Sequence, residues 1–521
     1  MDVVPFDETS AAWMRANEVY PGAEWGIDLT GDTVTLGIFD GGGLFTAHDD
    51  LVGRGFNVGD DYVDNCIALS SHSTAVSTAA MGLGSNDVVA TGIAPGVDFI
   101  LGWTFCDDAV EKTRENAAFF EASNHSYGSN GGWVAIEGDW YHVGSDLFGK
   151  YDSEARRADL AINETDEVWV YAAGNQGNEG PDSPEIAPRD CGNGIDCLLS
   201  GSLAKNAIVV AGVRDIEIDE ETGARNIVPM GMSSRGPADD GRVKPDVGAR
   251  GRDVRSAALG DGTTYSGSSG TSLAAPAVTG GVALLTELYH RHRGGSTPES
   301  AMIRGLLIHT AESIYGEGEP DPALGHGLMD LAEAAEVLQL ELTELEHRVA
   351  RAVHGRRDRF KSWFVTPEDG EALVVSIAWN DPAGESNFRG IDDPTPSLVN
   401  DLDLTIIGPD GSVYYPWSFD PADRLARATR VQENHVDNAE RVWIAPEVLQ
   451  AGEYEIRVRA SDLYENLAQP YYVFSSHDLT GDDETPLRAA AGEGVVVAPE
   501  QNSAEVRLWA AADGPEVTFT L

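Results

Sequence analysis

Residues 266–281 read SGSSGTSLAAPAVTGG and continue as VALLTELYHRH over 282–292. Gly267 and Gly270 mark a turn-forming approach, and from Ser272 onward small and apolar residues run at helical spacing for several turns. The segment therefore delivers Ser272 to the N-terminus of a long helix. Unpaired backbone N–H groups gather at such an end and can stabilise a developing oxyanion. Pro276 is read as lying in the first turn, where a missing N–H is expected to cost nothing. A serine before a helix is also an ordinary cap, so Ser272 needs partners before it means catalysis.

Working outward, short β-rich runs at Val34–Phe39, Val97–Leu101, Val168–Ala172 and Ala207–Val213 alternate with helical stretches after His72, Ser272 and Pro298. Strands alternating with helices predict a parallel sheet with crossover helices. Two further segments carry reactive groups at element ends. TVTLGIFDGGG (33–43) ends a strand on Asp40, and the glycines let the chain turn sharply away. SSHSTAVSTAAMG (70–82) offers Ser70 and Ser71 as caps for a helix whose first turn holds His72. A helix start disfavours an imidazolium, so His72 is expected to be a neutral base near pH 7. Asn175 follows the strand EVWVYAAG (167–174). Taken singly, Asp-Gly and Gly-Asn are common turns and a lone histidine is usually an ordinary residue.

The chain has 521 residues, 42% of them apolar, which is enough for two to four domains with real cores. Thirty-five basic against 86 acidic residues give 35 − 86 = −51, which argues against nucleic acid or an anionic membrane as partner. Only five cations are lysines, at 112, 150, 205, 244 and 361. Salt adaptation and an arginine-rich coding bias both explain this, and the sequence does not separate them. No run of 18 apolar residues predicts a membrane span, and the N-terminus lacks the layout of an export signal. Cys191 and Cys197 bracket the tight loop CGNGIDC, and a disulfide is expected there, while Cys66 and Cys106 read equally as partners or as buried apolar residues. A bridge favours an oxidising compartment, so the expected location is extracellular, with an export signal removed.

After about Leu342 the pattern changes. A charged, arginine-rich stretch, Glu344–Arg359, is expected as a linker helix. Runs at Ala372–Trp379, Leu402–Ile407, Arg441–Ile444 and Glu453–Val458, separated by turns such as Pro409-Asp410-Gly411, then predict an all-β sandwich, extended or closed by Gly494–Leu521. The expected division is an N-terminal extension over 1–29, an α/β domain over 30–342, a linker helix over 343–360 and the β-sandwich over 361–521.

The Asp40, His72 and Ser272 segments resemble, in chain order, the three active-site motifs of the subtilisin-like serine peptidases. Gly-Thr-Ser-Leu-Ala-Ala-Pro stands where the family usually has Met after the serine, and the Asp and His segments depart further. Gly92-Ile93-Ala94-Pro95, Ala172-Ala173-Gly174-Asn175, Ala204-Lys205-Asn206-Ala207, Ser233-Ser234-Arg235-Gly236-Pro237, Lys244-Pro245-Asp246 and Gly325-His326-Gly327 extend the likeness over residues 30–335. The resemblance implies a subtilisin-like catalytic domain and a serine endopeptidase with polypeptide substrates. It makes Ser272 the nucleophile, His72 the base, Asp40 its orienter and Asn175 an oxyanion donor. It also implies that Ser126, Tyr127 and Gly128 pair with the substrate backbone and that Ala172, Ala173 and Gly174 form the facing wall of the first specificity pocket. The acidic loop from Gln176 to Ser200 would supply floor and rim. No cofactor is expected for catalysis, and the chain is expected to be a trimmed, monomeric form. A processing protease or peptide ligase of the same fold is the enzymatic alternative, and a silent binding module the non-enzymatic one. The C-terminal part resembles, more loosely, the jelly-roll-like domain of a subgroup of secreted subtilases. Structural calcium goes with that resemblance and not with a ligand pattern. Asp392, Asp393, Asp401 and Asp403 offer the oxygens a hard cation takes, but 86 acidic residues produce such clusters without a metal, and that is the preferred reading of these four.

Overall fold

The computed structural model describes residues 10–481 apart from 24, 59–67, 105–107, 129–130, 137–138, 144–146, 179–190, 192–193, 220–223, 369, 388–389, 424 and 466–467, and adds the backbone of 505–509 and 516–520. Cys66, Cys106 and the acid cluster of the 176–200 loop lie outside the described residues.

In chain order the first lobe contains α1 (Ser10–Trp13), β1 (Thr35–Asp40), β2 (Gly55–Val58), α2 (Ser71–Met81), β3 (Phe99–Thr104), α3 (Ala109–Asn116) and β4 (Ala122–His125). The hairpin β5 (Gly132–Ile136) and β6 (Asp139–Val143) follows, then α4 (Ser153–Thr165), β7 (Val168–Ala172), β8 (Ile208–Ile218), β9 (Arg225–Pro229), β10 (Val247–Arg250), β11 (Val254–Ala257) and β12 (Tyr265–Ser268). Helices α5 (Thr271–Arg293), α6 (Ser300–Thr310) and α7 (Leu331–Leu342) complete it. The order β10-β8-β7-β4-β1-β3-β2 is parallel throughout, and β9 runs antiparallel on β8.

Period-two alternation explains why both faces of this sheet are covered. On β7, Val168, Val170 and Ala172 enter the core that holds α2 and α5, while Trp169 and Tyr171 enter the one that holds α4. The chain leaves β1 toward β3 and β2 but leaves β4 toward β7 and β8, so the strand order reverses between β1 and β4. A crevice opens at the carboxyl ends of strands at such a point. Helix α5 is long and apolar enough to cross a bilayer, and it is buried in this lobe.

The second lobe has two four-stranded antiparallel sheets. One contains β13 (Val349–Gly355), β15 (Leu373–Ala378), β18 (Ala439–Ile444) and β20 (Ala468–Ser475); the other contains β14 (Lys361–Val365), β16 (Asn400–Ile407), β17 (Val413–Tyr414) and β19 (Tyr454–Leu463). Alternate residues of the two sheets share one core, among them Trp363, Val375, Leu404, Ile456 and Val473. The other face of the first sheet packs on the first lobe: Tyr472 and Phe474 join its core, and Phe474 stacks on His309 of α6.

Two expectations are corrected here. The linker helix over 343–360 is absent, because Val349–Gly355 is a strand paired antiparallel with Ala468–Phe474. Ala350 and Ala352 point into the sheet core and Val349 and Arg351 away from it, so a period of two governs the segment despite its arginines. The C-terminal strands do not close the second lobe. Instead β21 (Glu505–Trp509) and β22 (Glu516–Thr520) form a hairpin whose Leu508 and Trp509 pair with Val58 and Asn57 at the free edge of β2.

Buried polar groups lock the lobes together. Lys205 has no exposed side-chain surface and its ammonium meets the Asp381 carboxylate, with Pro382 O at 2.7 Å and Ser397 O at 2.8 Å. Arg304 donates to Trp379 O and Asn438 O, both at 2.9 Å, and Val243 N donates to Asp437 Oδ1 at 2.7 Å. Lys150 and Lys244 are also buried, and Lys112 and Lys361 are half-buried.

Candidate active site

Asp40 is the last residue of β1, at the carboxyl end of the strand, and is buried. Gly41 N donates to Asp40 Oδ1 at 2.6 Å. The next position must be glycine: a Cβ on Gly42 would lie 2.7 Å from Ala68 O and from the Ser70 side chain. Ser70 caps α2 by accepting from Ser73 N at 3.2 Å, which sets His72 in the first turn facing Asp40. His72 Nδ1 then lies 3.0 Å from Asp40 Oδ1 and 2.8 Å from Oδ2.

This contact overturns the expectation that the helix start lowers the affinity of His72 for a proton. The Asp40 hydrogen bond, aided by its charge, outweighs burial and holds the imidazole above its ordinary 6.5.

Ser272 is the second residue of α5 and is half-buried. Among the described hydrogen bonds none joins His72 to Ser272, a link that often tightens only when substrate is bound. Asn175 is fixed from the same turn: Thr271 N donates to its Oδ1 at 2.9 Å and Thr271 Oγ1 at 3.2 Å. Tying down the oxygen leaves Nδ2 as the end free to donate. Gly174 precedes it at φ +106°, where a Cβ would meet Gln176 Oε1 at 2.7 Å. Gln176 turns inward, accepting from Asn175 N and Ser234 Oγ, both at 2.9 Å. Ser234 N in turn donates to Gly174 O at 2.9 Å, so the segment 233–237 buttresses this loop.

Ser126, Tyr127 and Gly128 follow β4, and on the neighbouring parallel strand β7 Ala172 is the last residue, with Ala173 and Gly174 after it. Tyr127 OH lies 2.9 Å from His125 Nδ1, and His125 Nε2 lies 3.0 Å from Ser123 Oγ. His125 stacks between Phe39, Trp169 and Tyr171, and this burial pushes its pKa down to about 3, keeping the ring neutral. The residue after Ser272, Leu273, is buried against Ala75, Ala79 and Val254. Cys191 and Cys197 form a disulfide with Cα atoms 4.4 Å apart.

Thr271, Gln176, Ser234 and His125 were given no positioning role from sequence, although the first three stand in segments quoted there. The signals were present but weak: Thr271 adjoins the serine, and His125 shares the period-two face of Tyr127. The four aspartates named as able to ligate calcium do not gather at one place. Asp401 and Asp403 gather around His435, whose Nδ1 is 2.9 and 3.0 Å from them, so an imidazole already serves both carboxylates. Asp392 joins Asp196 and Asp239, which is an all-oxygen set of the kind a hard cation takes, and Asp393 Oδ1 accepts from Thr395 N at 3.0 Å.

Over 136 residues, 25% of this chain, the sequence is 33% identical to subtilisin-like protease SBT6.1 of Arabidopsis thaliana, of which the match spans 12%. It is 35% identical over 90 residues to the C5a peptidase of Streptococcus pyogenes, 17% of this chain and 8% of that protein. The chain thus matches only a small part of the length of these relatives. Among solved structures, the self-cleaved protease domain of PatA aligns over 60% of this chain and 98% of its own, with 22% identity and a TM-score of 0.40. The prenylagaramide maturation protease PagA aligns over 58% and 93%, with 20% identity and a TM-score of 0.40. The family model described as the subtilase family matches residues 31–327, more than half of the chain and the whole span from before Asp40 to beyond Ser272, and the chain belongs to that family of serine proteases.

Proposed function

We propose that the protein is a serine endopeptidase that hydrolyses peptide bonds through an acyl-enzyme on Ser272. The observation that carries this reading is the contact of His72 Nδ1 with both oxygens of Asp40, which fixes the tautomer and leaves Nε2 as the basic nitrogen. His72 Nε2 takes the Ser272 hydroxyl proton as Oγ attacks the substrate carbonyl. The negative oxygen that forms is met by Ser272 N–H at the start of α5 and by Asn175 Nδ2. His72 then passes its proton to the leaving amine, the C–N bond breaks, and water repeats the sequence to release the acid.

These steps draw on protein groups and a water molecule and call for no cofactor in catalysis. The edges after β4 and β7 support binding of an extended polypeptide between 126–128 and 172–174. The two antiparallel sheets with a shared core support reading the C-terminal lobe, from about residue 349, as a jelly-roll-like β-sandwich. The Cys191–Cys197 bridge supports an extracellular location.

The test is a fluorophosphonate probe followed by peptide mapping of wild type, Ser272→Ala and His72→Ala. Labelling confined to Ser272 and lost in His72→Ala is the expected result. A folded wild type that takes no label would overturn the reading in favour of a binding module.

A further inference from the structure

Pro276 is the sixth residue of α5, beyond the four N–H groups that any helix leaves free at its start. The expectation that its position costs nothing is therefore corrected. In a regular helix the amide of residue 276 would donate to the carbonyl of residue 272, and proline has no N–H to give. The backbone carbonyl thereby released belongs to Ser272 itself.

Ser126 fills the gap. Its hydroxyl donates to Ser272 O at 3.0 Å, and its oxygen accepts from Asn124 Nδ2 at 2.9 Å. Asn124 Oδ1 accepts from Thr279 Oγ1 at 3.1 Å, which returns the chain of bonds to α5 two turns along. Asn124, Ser126 and Thr279 are all buried. Alternation along β4 and into the residues just after it produces the arrangement: residues 124 and 126 face α5, and residues 123, 125 and 127 face the aromatic cluster.

We infer that Ser126 is a positioning residue, whose hydroxyl replaces the helix bond removed by Pro276 and so holds the Ser272 turn in register with the strand that receives substrate. Proline and serine form one device across two elements. The proline opens the carbonyl, and the serine uses it to couple the strand to the nucleophile. The inference rests on the reading of Ser272 as nucleophile.

The experiment is a double-mutant cycle of Ser126→Ala, Pro276→Ala and the pair, read by the rate of fluorophosphonate labelling and by kcat and KM on a peptide substrate, with circular dichroism to establish folding. Ser126→Ala is expected to lower labelling and kcat by about tenfold or more, as small displacements of a reacting group do, with KM changed less than about twofold. Adding Pro276→Ala returns an N–H to Ser272 O and is expected to recover most of that loss. Two results would overturn the inference: wild-type labelling in Ser126→Ala, or an equal loss in single and double variants. If Ser126→Ala does not fold, Ser126→Cys keeps the volume with a weaker donor and is expected to show a smaller loss in the same direction; a wild-type rate there overturns the inference. A wild type that takes no label refutes the nucleophile, whereas a labelled wild type with an indifferent Ser126→Ala refutes only this device.

Discussion

The imidazole of His72 meets the Asp40 carboxylate through Nδ1, which lies within 3.0 Å of both oxygens. Because this hydrogen bond favours the protonated ring, the folded-state pKa lies above the ordinary 6.5. The stability it contributes is present below 6.5 and lost as pH rises through the raised value. Activity moves the opposite way, since only the neutral ring accepts a proton. A kcat/KM profile should rise with pH and reach half-maximum above 6.5. Asp40→Asn should shift that limb to lower pH and reduce kcat by about ten-thousand-fold.

Asn175 is held by its oxygen, so removing the side chain should delete one donor without disturbing the strand beneath. Asn175→Ala is expected to lower kcat about 100- to 1,000-fold with little change in KM. A raised KM with kcat unchanged would instead place Asn175 in ground-state binding.

Gly305 sits mid-helix in α6, where a Cβ would come within 2.4 Å of the Phe474 ring and 2.6 Å of the Ala378 Cβ. On an isolated helix Gly→Ala gains about 1 kcal/mol. Here overpacking costs about 1–3 kcal/mol, so Gly305→Ala should destabilise the protein in urea unfolding. A stabilised variant would mean that the lobes separate easily at this contact.

Lys205→Met should strand the Asp381 carboxylate inside the lobe interface and cost about 3–5 kcal/mol in thermal or denaturant unfolding. The pair Lys205→Met with Asp381→Asn removes the stranded charge and should lose less than the single variant.

Oxidation offers a separate check, because Leu273 rather than a thioether adjoins Ser272. Dilute peroxide should leave activity largely intact, and Leu273→Met should make it fall with time. Equal rates of loss in both proteins would locate the sensitive group elsewhere.

The candidate site was legible because each of its groups stands in a short local context: Asp40 at a strand end before glycines, His72 after capping serines, Ser272 between a glycine turn and a helix. The alternating strands and helices of the first lobe were legible for the same reason. What escaped depends on partners far along the chain. Val349–Gly355 mixes alanines with arginine and histidine, and its pairing strand begins more than 110 residues later. The proton affinity of His72 was misjudged because the helix start is visible in sequence while the distance to Asp40 is not. Pro276 was misread by one turn, and the carbonyl it frees has its donor just past the end of a strand, 146 residues earlier.

The placement of the five lysines has a practical side. Three are enclosed by protein and two are partly covered, so none offers a fully open side-chain amine. Acylating dyes and aldehyde crosslinkers, which seek lysine, should modify the folded protein sparsely. Attachment to a support is better directed at the carboxylates, of which the chain has 86.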